Sequence, residues 1–145
     1  MSNRHRARSA AVQALYQWDM MGCPFDEINT DFIEDKDRKS LDGEYLNSLL
    51  IGVGANSETI EKAVTPFLDR EFNKVDPIER SILRLSVYEM LFHRSVPVKV
   101  IINEGVELAK TFGSDHGYKF INGTLDKLAN ESSVQALRED TIDIN

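Results

Sequence analysis

Cysteine is nearly absent: Cys23 is the single one in 145 residues, which leaves neither a disulfide framework nor a cysteine-based zinc site. No stretch approaches the roughly 18 uncharged apolar residues that a membrane span needs, so no membrane association is expected. The N-terminus lacks an apolar signal core, and a reducing, cytoplasmic compartment is the expectation. In that compartment the sequons Asn122-Gly-Thr124 and Asn130-Glu-Ser132 are accidents of sequence. Four prolines, eight glycines and mixed charge exclude collagen-like, low-complexity and wholly disordered chains. Alternation of apolar and polar residues is missing too, so strand signals are almost absent. What remains is a 41% hydrophobic chain with a mean hydropathy of −0.34, enough for one ordinary soluble domain.

Catalytic signatures are equally scarce. There is no HExxH, P-loop, GxGxxG or GxSxG motif. Gly52-Val-Gly54 has no preceding strand and no phosphate-loop continuation, which makes it packing glycine. Cys23 has no histidine near it in sequence, and it precedes Pro24 in a turn. His5, His93 and His116 show no metal-ligand spacing, and Asp35 and Asp37 lie in a charged, solvated loop. The chain is read as a non-enzyme without metal or cofactor.

Helical spacing, by contrast, runs through the whole chain. A helix over about 4–21 sets Ala7, Ala11, Ala14, Leu15 and Trp18 on one side and stops before Gly22. A short helix is expected over 26–35, with Ile28, Phe32 and Ile33 inward, then a charged loop over 34–39. A longer helix runs from Asp42 to Pro66, where Gly52 and Gly54 either admit a close neighbour or break it. Asp76-Pro77-Ile78-Glu79 combines a cap, a first-position proline and a capping-box acid. The helix it starts reaches about His93 and is apolar around most of its circumference, which places it at the centre. Pro97 opens a helix ending at Gly113, and Ser114 or Asp115 begins another with Tyr118, Ile121, Leu125 and Leu128 inward. The expectation is an all-α domain over 1–145 of six or seven helices. It divides into subdomains of about 1–70 and 71–130, followed by a short helix and acidic tail over 131–145.

The net charge of −7 argues against indiscriminate nucleic-acid binding, but the average hides an asymmetry. Arg4, Arg6 and Arg8 face only Asp19 within residues 1–20, whereas 26–44 carries eight acids. Cations in the first turns of a helix oppose the macrodipole at a cost of roughly 0.3–1 kcal/mol each. Stability alone would not place them there, while arginines beside free N–H groups suit phosphate. At about 100° per residue, Tyr16 points almost opposite the apolar stripe, with His5 and Val12 near its direction and Arg8 to one side. In the helix after Gly113, His116, Lys119, Phe120, Gly123 and Lys127 share one outer sector. Phenylalanine among lysines is a single-strand-binding pattern, in which stacking contributes ~1–3 kcal/mol per base. Each face has a plainer alternative, a solvated terminus or ordinary helix packing.

The runs Arg4-His-Arg-Ala-Arg8, Ala11-Val-Gln-Ala-Leu-Tyr-Gln-Trp18, Glu79-Arg-Ser-Ile-Leu-Arg84, Tyr88-Glu-Met-Leu91, Ile102-Asn-Glu104, Glu107-Leu-Ala-Lys110 and Lys119-Phe-Ile-Asn-Gly123 closely resemble the NusB family of bacterial transcription antitermination factors. The resemblance spans about residues 4–129. It implies an all-helical fold of two small packed bundles and a non-enzymatic role. It implies partnership with NusE, a small-subunit ribosomal protein, and binding of boxA, a single-stranded element of ribosomal RNA leaders. Other Nus factors and RNA polymerase would complete the assembly. Carried over by position, Arg4, Arg6 and Arg8 contact RNA, Tyr16 lies near both RNA and NusE, Glu79 contacts NusE, and Lys119 and Phe120 belong to the RNA side. His5 stands where arginine is common in the family, and His116 where some members have an acid. With His5, His116 and Lys127 included, the expected RNA face is complete. Two other readings stay open: an RNA-binding module acting with an rRNA-modifying enzyme, and a helical scaffold that binds only protein.

Overall fold

The computed structural model describes residues 3–22 and 42–143, with side chains through Glu139. Among these residues there are seven α-helices and no strand: α1 (Asn3–Met21), α2 (Gly43–Ala55), α3 (Ser57–Val64), α4 (Pro77–Phe92), α5 (Val98–Phe112), α6 (Gly117–Ala129) and α7 (Ser132–Asp143). The helix expected over 26–35 and the loop over 34–39 lie outside the described residues.

The α4 helix is the hub. Asp76 caps it by accepting from the backbone N–H groups of Ile78 (3.0 Å) and Glu79 (3.3 Å), and Pro77 takes the first helical position as its sequence predicts. Ile82, Leu83, Leu85, Val87 and Met90 are essentially solvent-free. Helices α1 and α2 pack on one side of α4, while α5 and α6 pack on another and α3 and α7 close the remainder. The two bundles therefore share one helix, which explains its nearly uniform hydrophobicity.

Four features depart from the expected helices. The segment 42–66 is two helices and a 3-10 turn (Thr65–Phe67), because Asn56 ends α2 and starts α3. Its side-chain amide donates to the Gly52 carbonyl at 2.8 Å, the local competition that makes asparagine a helix breaker. Gly52 does admit a close neighbour: a Cβ there would stand 2.0 Å from the Tyr88 ring. Helix α6 begins at Gly117 rather than at Ser114 or Asp115, since the Gly117 N–H is first bound in a turn to the Ser114 carbonyl. The short helix expected after residue 131 is present and runs on to Asp143, over most of the expected acidic tail. Val134 is buried, Leu137 packs on the core, and Arg138 donates to the carbonyls of Met90 (2.7 Å), Arg94 and Val96. Finally, Val12 is 2% exposed instead of outward, because α1 is clasped by both α2 and α4 and so buries more than one stripe.

Candidate nucleic-acid interface

The arginine-rich start of α1 splits into two kinds of residue. Arg4 and Arg6 are exposed. The Arg4 guanidinium sits over the Tyr45 ring, 4.3 Å from its centroid, so a cation–π contact holds it against α2 without neutralising it. His5 is half-buried, and its Nδ1 lies 2.5 Å from Glu104 Oε2 of α5.

Arg8 corrects the sequence expectation. It is 3% exposed and forks onto Glu89 of α4, Nε donating to Oε1 at 2.8 Å and Nη2 to Oε2 at 2.9 Å. Tyr45 donates its hydroxyl to the same Oε2 at 2.5 Å and lies 3.2 Å from His93 Nδ1. Burial by itself disfavours the Arg8 charge, but the hydrogen bond and charge of Glu89, aided by Tyr45 and Glu104, hold its pKa above the ordinary value. Burial, then the hydrogen bond and charge of Glu89, push the Tyr45 phenol well up. Arg8 is thus a pin joining α1 to α4, and the one arginine of the arm withheld from solvent. Its helical angle had placed it beside the outer face; the second partner of α1 covers that direction.

At the other end of α1, Asp19 receives Arg80 at 2.6 and 2.8 Å and lies 3.2 Å from Arg84 Nη1. The Arg84 guanidinium lies 5.0 Å from the Trp18 ring centroid. Tyr16, between these anchored ends, is half-buried.

The second basic surface forms on α6. Lys119 and Lys127 are exposed and Phe120 is half-buried, and all three line one groove of about 380 Å³ with Gly123 and Thr124. Its opposite wall is Pro66, Phe67, Leu68 and Asp69, from the 3-10 turn and the residues after it. A groove of this size falls in the range of small-ligand sites. It pairs an aromatic face with two cations, as the outer sector of α6 predicts. The wall from 66–69 was beyond sequence reasoning, because no local pattern announces which loop a helix face will meet. Arg70 was missed for the same reason: its guanidinium lies 5.2 Å from the Phe120 ring centroid.

His116 is exposed at the cap of α6, beside but not lining this groove. Glu79 is 8% exposed, and a Cβ on Gly117 would stand 2.4 Å from its Oε1. Its carboxylate therefore abuts the start of α6, where the positive end of the helix favours an anion and where only glycine leaves room. Burial, followed by the charge of Asp76, raises the Glu79 pKa against the lowering effect of Arg70. Among the described residues no group of three or more His, Cys, Asp or Glu side chains could hold a metal ion, and no helix is long and apolar enough to cross a membrane.

Comparison with known proteins bears on this arrangement. The model of the NusB family matches residues 5–130. The transcription antitermination protein NusB of Haemophilus ducreyi is 50% identical over 129 residues, covering 89% of this chain and 94% of the relative. That of Pseudomonas savastanoi pv. phaseolicola is 48% identical over 128 residues, covering 88% and 78%. Among solved structures, T. maritima NusB matches with a TM-score of 0.75 at 28% identity, over 96% of this chain and 99% of that one. A structure of the antitermination factors NusB and NusE in complex with dsRNA matches with a TM-score of 0.71 at 26% identity, over 87% and 95%. Sequence and fold agree along nearly the whole length, and the chain belongs to the NusB family.

Proposed function

We propose that this chain is a cytoplasmic transcription antitermination factor that binds single-stranded boxA RNA of ribosomal RNA leaders together with NusE. Other Nus factors and RNA polymerase complete the assembly, and no cofactor or catalytic step is involved. The observation that carries this reading is the groove on α6, where Phe120 stands between Lys119 and Lys127 against the 66–69 wall. Exposed Arg4 and Arg6 supply a second cationic surface at the start of α1, with His5 and His116 as further polar contacts. Tyr16 serves both RNA and NusE, and Glu79 supports the NusE side while holding the start of α6. The solved NusB–NusE complex with dsRNA lends weight to this pairing of partners.

An acidic protein with four strong phosphate contacts (Arg4, Arg6, Lys119 and Lys127) should bind RNA weakly alone and show a log–log salt slope of about −3 for a single strand. A partner that adds contacts raises affinity by linking two sites. Fluorescence anisotropy with a boxA-like RNA, at two salt concentrations and with or without NusE, tests the reading. Selective binding that strengthens with NusE and weakens in Phe120→Ala is expected. Equal binding of boxA-like and scrambled RNA by the pair would refute it.

A further inference from the structure

Arg70 and Asp69 lie at the edge of the groove. The Arg70 side chain is 46% exposed and that of Asp69 69% exposed, yet the two are locked in a two-pronged pair. Arg70 Nε donates to Asp69 Oδ1 at 2.7 Å and Nη2 to Oδ2 at 3.0 Å. An exposed pair of this kind adds little to stability, and a bridge between sequence neighbours ties no two elements together by itself. Its geometry is more informative. The Asp69 carboxylate presents two oxygens to the planar fork of Arg70 in the way a backbone phosphate would. The hydrogen bond and charge of Arg70, together with Lys127, also hold Asp69 below the usual carboxylate range, so one carboxylate serves two cations of the groove. Meanwhile the Arg70 guanidinium covers Phe120, placing a planar cation where a stacked base and its phosphate would meet.

We propose that Arg70 is a further RNA contact of the Phe120 groove, and that Asp69 is a built-in phosphate mimic that the RNA backbone displaces. The proposal rests on the RNA reading of that groove. A bare polyanion gains only the exchange of one anion for another, whereas a strand that also stacks a base on the Arg70 guanidinium plane over Phe120 gains net affinity. Asp69 thereby selects stacked single strands over polyanions in general.

Anisotropy titrations with the full chain, NusE and a short boxA-like RNA test this across a salt series. Arg70→Ala should weaken binding roughly two- to fivefold and flatten the salt slope by about 0.7. Asp69→Asn should tighten binding by a similar factor, and by clearly less in the Arg70→Ala background, where only Lys127 is left to release. Glu71→Gln, which removes an equal charge from the neighbouring exposed acid, should leave affinity unchanged. Wild-type affinity in Arg70→Ala overturns the proposal, as does equal tightening by Asp69→Asn with and without Arg70. If Phe120→Ala also binds like the wild type, the groove reading fails first and this proposal with it. If Phe120→Ala weakens binding while Arg70→Ala does not, only this proposal fails.

Discussion

Replacing Arg8 with methionine separates a structural arginine from the arginines proposed to contact RNA. The Arg8 and Glu89 side chains are 4% and 2% exposed, so neither charge has access to water. Arg8→Met leaves the Glu89 carboxylate with the Tyr45 hydroxyl as its near partner, 2.5 Å away. Removing one member of a buried, hydrogen-bonded ion pair costs about 3–5 kcal/mol, because the other charge stays buried and uncompensated. A chain of 145 residues has roughly 7–20 kcal/mol of total stability, so the variant should still fold at low temperature. The loss should lower Tm by roughly 6–20 °C. Urea unfolding followed by the fluorescence of Trp18, the one tryptophan, and by far-UV circular dichroism measures it directly. Arg8→Met/Glu89→Leu should recover most of the loss, since it buries no charge. Below its unfolding transition, Arg8→Met should bind RNA far closer to the wild type than Arg4→Ala does. A stability change under about 1 kcal/mol would refute the buried-pin account. So would a double variant no more stable than the single.

Four further outcomes follow from the fold. Burial, then Arg4 and Arg8, lower the His93 pKa below its ordinary 6.5 against the raising effect of Glu89. The unfolded chain therefore binds more protons, so this group's contribution is present above pH 6.5 and is lost as pH falls through the folded pKa. Stability against pH, compared between wild type and His93→Gln, should show the acid-side slope reduced in the variant. Gly52→Ala should cost about 1–3 kcal/mol in chemical denaturation, since its methyl would collide with the Tyr88 ring. Gly123→Ala, with nothing within 4 Å, should instead stabilise by up to about 1 kcal/mol. Arg138→Ala removes three carbonyl contacts from α7, one to Met90 of α4 and two to Arg94 and Val96 in the turn after it, so hydrogen exchange of 132–139 should quicken while α1 stays protected.

Much of this molecule follows from local chemistry alone. Asp76-Pro77 starts α4 because a short acid and a fixed φ suit the first turn wherever that turn lies. The inward stripe Ile121, Leu125 and Leu128 fixes which sector of α6 faces out, and so places Lys119, Phe120 and Lys127 together. Periodicity is a property of one helix, and a sequence carries it whole. How many neighbours cover a helix is not such a property. Val12 and Arg8 project away from the apolar stripe of α1, and only the clasp of α2 and α4 turns that side into interior. The Glu89 that makes a buried Arg8 tolerable lies 81 residues away, where no spacing rule reaches. The same holds for the wall at 66–69 and for Arg70 over Phe120, whose contact is set by packing between elements. The sequence by itself determined α1, α4 and α5 and the outer face of α6 that carries Lys119, Phe120 and Lys127. The tertiary structure decided which arginines stay in water and which one is spent holding the fold, because that depends on a low-dielectric interior that exists only once the helices are packed.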